Sequence, residues 1–101
     1  MPATKATRAG RATDAPARRA IRVLIVEDQP LMRDLLRAAL GSYPTGQVAG
    51  TAAAGKEAVR LAGEHRPGAI VMDIDLGPGM TGIKAANALK SARPGLGVVI
   101  L

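Results

Sequence analysis

Four short runs rich in aliphatic residues divide this chain, and helical periodicity fills the intervals between them. Ile21 to Val26, broken only by Arg22, and Ala69 to Met72 lack the polar alternation of a sheet face that meets water. A strand dispenses with polar positions when both its faces are buried, so these two read as interior strands of a parallel sheet. Gln47 to Thr51 is a shorter and more polar second strand, and Gly97 to Leu101 is a fourth. Pro30, whose fixed φ suits the first turn of a helix, opens an amphipathic segment that ends before Gly41. In it, Leu31, Leu35 and Ala39 form one row and Met32, Leu36 and Leu40 the next. Both rows are expected to lie on the sheet as core, with Arg33, Asp34 and Arg37 turned outward.

Gly55 to His65 predicts a second helix with Ala58, Leu61 and Ala62 inward and Lys56, Glu57, Arg60 and Glu64 outward. Gly82 to Ala92 predicts a third, with Thr81 as its N-cap and Ile83, Ala86 and Leu89 on the inner side. Arg66-Pro67-Gly68 and Arg93-Pro94-Gly95 stop these two helices and lead into the following strands, a small internal repeat. Strands and helices alternating at this spacing imply right-handed βαβ crossovers and an α/β fold.

Composition narrows the picture. The chain has 101 residues and one aromatic side chain, Tyr43, so a single domain must build its core from small aliphatic groups. Cysteine is absent, which excludes thiolate metal sites and disulfides. No apolar stretch reaches the length of a membrane helix and no secretory h-region follows the first charges, so a cytoplasmic protein is expected. The net charge of +6 is concentrated at the N-terminus. Residues 1–20 carry five basic groups against Asp14 and have no large apolar side chain beyond Met1. They are expected to form a disordered, solvated tail ahead of a folded domain at 21–101.

Two of the strands run directly into acids. Val26 is followed by Glu27-Asp28 and Met72 by Asp73. Parallel strands deliver such residues to the carboxyl edge of the sheet, where open α/β sheets keep their sites. Three carboxylates held close raise one another's pKa. A hard divalent cation such as Mg²⁺ relieves that repulsion, takes oxygen ligands and brings phosphate oxygens with it. A carboxylate beside it can act as a nucleophile toward phosphorus and become an acyl phosphate. No Ser/His/Asp or Cys/His set offers a rival nucleophile.

These residues, with a Pro-led helix after the acidic pair and a Gly/Pro loop running from Asp73 to Gly82 and Ile83, resemble the receiver domain of two-component response regulators. The resemblance covers Ile21 to Leu101. It implies a flavodoxin-like, doubly wound parallel sheet with helices on both faces, of which four strands and three helices are present and a final strand and two helices are missing. It implies that Asp73 is the phosphoacceptor, phosphorylated by a histidine kinase with Mg²⁺ as cofactor. Asp28 and Asp73 would bind the metal directly, Asp75 through its backbone carbonyl, and Glu27 through water. Such a domain is a signalling element, with at most self-catalysed phosphotransfer and dephosphorylation, and reaches DNA only through an output domain absent from this chain.

Three departures stand out. Gly77 holds the place where the family has Pro, and Pro78 follows, as a one-residue insertion would produce. Asp75 adds a carboxylate beside the expected metal. The family's Ser or Thr beyond the fourth strand and Lys after a fifth have no counterpart here, and Lys84 and Lys90 read as a solvated helix face.

Three other readings compete. A receiver-like module could work by binding alone, with a homodimer or other pairing formed through the Val98 to Leu101 edge, or by sequestering a kinase or a full-length regulator. Gly50-Thr51-Ala52-Ala53-Ala54-Gly55-Lys56 matches the first part of a P-loop, but Glu57 stands where Ser or Thr would hold Mg²⁺. Asp73-Ile74-Asp75 has the spacing of haloacid-dehalogenase-type phosphatases without their downstream motifs. His65, the single histidine, is expected at a helix end or in solvent.

Overall fold

The computed structural model describes residues 20–101. The expected disordered tail therefore falls, Ala20 apart, outside the described residues. The elements are β1 (Ile21–Val26), α1 (Pro30–Gly41), β2 (Gly46–Ala52), α2 (Gly55–His65), β3 (Ala69–Met72), α3 (Gly82–Ala92) and β4 (Gly97–Ile100). All four strands pair in parallel in the order β2-β1-β3-β4. The chain steps from β1 to β2 on one side, then crosses back over β1 to reach β3. Because βαβ crossovers are right-handed, that reversal puts α1 on one face and α2 and α3 on the other. This is the flavodoxin-like arrangement, with its topological switch point between β1 and β3.

The main core lies under α2 and α3. Leu24 and Val26 of β1 and Ile70 and Met72 of β3 point to that face and pack with Ala52, Ala58, Ala85 and Leu89. Alanine at the helix positions lets the two helices sit close to the sheet and to each other. Leu76 and Leu96 close the ends of this layer. Val23 and Ile25, the alternate residues of β1, face α1 and are buried as well. Burial on both faces is what removed polar positions from this strand.

Two expectations about helix faces are corrected. No residue of α1 is fully buried. Leu36 and Leu40 are half-buried, but Leu31, Met32 and Leu35 are 73%, 43% and 55% exposed and Ala39 is exposed too. The helix packs mainly over β2 and β1, so its apolar arc is wider than the sheet beneath it. On α3, Ile83 is 55% exposed, whereas Gly82, Ala85 and Leu89 are buried. Gly82 lies against the backbone of Asp73 and Ile74, which fixes the helix rotation and carries positions three and seven residues on to the inner face. Boundaries moved little: β2 is one residue longer at each end, Gly41 closes α1 with Ser42 as its cap, and β4 ends at Ile100. Thr81 is the N-cap expected, its Oγ1 accepting from the Lys84 N–H at 3.1 Å.

Candidate functional site

The backbone carries the ladder one residue past each of the two central strands. The Glu27 N–H donates to the Ala52 carbonyl and the Asp73 N–H to the Val26 carbonyl, each at 2.9 Å. Both residues are thereby held at the carboxyl edge, on either side of the switch point. Ligand-capable atoms of Glu27, Asp28 and Asp73 all lie within 4.8 Å of one another. Glu27 is only 4% exposed, and Asp28 and Asp73 are half-buried.

Local bonds fix the orientation of each acid. The Gln29 N–H donates to Glu27 Oε2 at 3.1 Å, and the Asp75 N–H donates to Asp73 Oδ1 at 3.1 Å. Arg33 reaches back from the first turn of α1 and donates from a guanidinium N–H to the Glu27 carbonyl at 3.0 Å. Periodicity turns it outward, but in the structure it is half-buried. The available signal was its position, one helical turn after a Pro-led start, where a long side chain can return to the strand end. Gly77 has a positive φ of 75°, and a Cβ there would lie 3.4 Å from Asp28 Oδ2. The loop thus closes over the acids with a residue that has no side chain to place there.

Electrostatics within the cluster agree with the geometry. Burial pushes the Glu27 carboxyl above its ordinary pKa, since removing water penalises the charged form. The Gln29 N–H opposes this, while the charge of Asp73 and hydrogen bonding with Asp28 and Asp73 add to it. A set of oxygen donors whose negative charges oppose one another, one of them desolvated, has the chemistry that a hard divalent cation satisfies. The donors present therefore fit Mg²⁺.

Other residues singled out in the sequence are placed elsewhere. Asp75 is exposed on the loop, and its carboxylate is not among the three gathered acids. Lys84 is exposed, and the Lys90 ammonium donates to the Pro94 and Leu96 carbonyls beyond the end of α3. His65 ends α2, with its ring against Gly50 and its carbonyl accepting from Arg22. The P-loop reading fails, because Gly50, Thr51 and Ala52 are paired with β1 as part of β2 and the Glu57 carboxylate already accepts the Ala53 N–H at 2.9 Å. A phosphate would meet a carboxylate there.

A family model described as the response regulator receiver domain matches residues 23–101. The chain belongs to that family. It is 37% identical over 81 residues to the transcriptional regulatory protein YxjL of Bacillus subtilis, covering 80% of this chain and 37% of that protein. It is 45% identical over 76 residues to protein-glutamate methylesterase/protein-glutamine glutaminase 3 of Myxococcus xanthus, covering 75% of this chain and 21% of that protein. The receiver domain thus spans well under half of these relatives. Among solved structures, the response regulator domain of Thermotoga maritima CheB superposes with a TM-score of 0.76 at 39% identity, over 81% of this chain and 60% of that one. A LuxR-family response regulator from Aurantimonas gives the same TM-score at 32% identity, over 80% of this chain and 57% of that one. Receiver domains are the response elements of two-component signalling, and this chain carries that fold with the acidic cluster at its switch point.

Proposed function

We propose that this receiver domain accepts a phosphoryl group on Asp73 from the phosphohistidine of a histidine kinase, in a Mg²⁺-dependent reaction. The observation that carries the reading is the convergence of Glu27, Asp28 and Asp73 at the carboxyl edge between β1 and β3, in a chain of the receiver family. Asp28, Asp73 and the Asp75 carbonyl would hold Mg²⁺, with Glu27 reaching it through water. The cation would neutralise charge on the incoming phosphoryl group. A carboxylate oxygen of Asp73 attacks phosphorus, the P–N bond to histidine breaks, and the imidazole leaves with the bonding electron pair and takes up a proton. The Asp75 N–H on Oδ1 fixes the rotamer from which that attack is made. A kinase of this type places the domain in the cytoplasm, and phosphorylation would shift a two-state surface that controls an output elsewhere. Contact with DNA would fall to an output domain.

The test is labelling with a small phosphodonor or a kinase in the presence of Mg²⁺. Asp73→Asn is expected to abolish labelling and leave the circular dichroism spectrum unchanged; labelling that persists would reassign the acceptor. A second reading, a module that works by pairing rather than by phosphorylation, draws on the exposed Val99, Ile100 and Leu101 at the β4 edge. Wild-type chain that folds yet takes no label under any donor would favour it.

A further inference from the structure

The two Arg-Pro-Gly helix stops meet in space, away from the acidic cluster. α2 and α3 pack side by side, and the residue after each is an arginine. Small residues near the helix ends, Ala62 and Gly63 on α2 and Ala88 and Ala92 on α3, leave a cleft of about 160 Å³ that is also lined by the buried Leu89 and Leu96. Arg66 and Arg93 line it as well. An apolar cavity of about 150 Å³ accommodates a benzene-sized group, so this cleft matches one aliphatic or aromatic side chain.

Arg66 carries a second sign. It is the only non-glycine residue with positive φ among the described residues, at 48°. This left-handed cap position is usually glycine, because a Cβ there crowds the following carbonyl oxygen. Among the described residues neither Arg66 nor Arg93 is in a salt bridge; Glu64, the nearest acid in sequence, pairs with Arg60 at 2.8 Å. The cleft therefore joins an apolar floor to two arginines that make no ion pair among the described residues and can meet carboxylates.

We propose that this cleft docks an acidic peptide segment of a partner, one aliphatic side chain entering between α2 and α3 and flanking carboxylates pairing with Arg66 and Arg93. Charge complementarity selects this occupant. The chain's own residues 1–20, with five basic groups against one acid, are repelled by the arginines. A second copy presents its acidic cluster at the opposite edge of the sheet and carries a net charge of +6.

The test uses the full chain, ¹⁵N-labelled, titrated with the blocked peptide Asp-Glu-Leu-Glu-Asp and with a control in which lysine replaces every acid. The acidic peptide is expected to shift the amides of Ala62, Gly63, Ala88, Ala92 and Leu96 saturably, and the basic control is not. Arg66→Gly suits the left-handed cap and so keeps the fold; combined with Arg93→Gln it should weaken binding about tenfold at low salt. An added Cβ on Gly63 meets nothing within 4 Å, so Gly63→Leu places a bulky side chain at the rim of the cleft without a clash and is expected to keep the fold, read as an unchanged circular dichroism spectrum, while abolishing the shifts. No saturable shift at millimolar peptide, equal binding by the basic control, unchanged affinity in the arginine double variant, or equal affinity for 4-methylpentanoate alone would each overturn the proposal.

Discussion

Single residues at the site are set by what surrounds their backbone as much as by their chemistry. Gly82 is the clearest case: an added Cβ would stand 2.6 Å from the Asp73 carbonyl oxygen and 2.9 Å from Ile74 Cα. Alanine is the better helix former by about 1 kcal/mol, but a clash with backbone cannot be relieved by a rotamer change. Gly82→Ala is expected to cost about 2 kcal/mol net and to slow labelling of Asp73, as urea unfolding and a phosphorylation time course would show. Glu27 makes a prediction about pH. Its folded pKa is raised above the ordinary 4.5, so its contribution is fully favourable below that value and is lost as pH rises through the folded pKa. In chelator the ionised carboxylate therefore opposes folding at neutral pH. Glu27→Gln should raise the melting temperature at neutral pH relative to wild type, shrink that advantage in mild acid, and reduce stabilisation by added Mg²⁺. The acids themselves were legible from the sequence because they follow apolar runs. Arg33 and the contact of Gly82 were not, since each depends on a neighbour distant along the chain or hidden in the backbone.

At the scale of elements, local signals set the ends and tertiary contacts set the faces. Thr81 caps α3 through a single side-chain bond to Lys84 N–H, a relation that needs only residues three apart. Thr81→Ala is expected to cost about 1 kcal/mol, read as a shift in denaturant midpoint with an unchanged slope. Rotation is another matter. α3 turns Ala85 rather than Ile83 inward because Gly82 must abut the loop after β3. In α1 the sequence shows a broad apolar arc, but burial extends only to Leu36 and Leu40 because the sheet under this helix consists of β1 and β2. Periodicity reports which residues can face a core; it does not report how much core is there.

For the whole molecule, that surplus of apolar surface has a consequence. Val71 and Val99 are paired in register on β3 and β4 and point to the α1 face, where Val99 is 52% exposed. Leu31 and Leu35 are exposed on α1, and the outer edge of β4 pairs with no other described strand. Unpaired edge and bare apolar face together favour association of two copies. Sedimentation of this chain is expected to show a concentration-dependent dimer that Val99→Lys dissociates, since a lysine on an edge strand resists pairing. A monomer at every concentration would show that water alone covers this surface.

The sequence by itself determined the order and type of the seven elements, the parallel sheet and the acids that end β1 and β3. Those follow from short-range chemistry: aliphatic runs, helical periodicity, caps and Arg-Pro-Gly stops act over a few residues. Tertiary structure decided that Glu27 is the buried acid, that Arg33 holds its carbonyl, which flank of α1 stays bare, and that two distant arginines share one cleft. These depend on right-handed crossovers and on which backbone passes beneath which helix, distances that residues far apart in the chain acquire only on folding.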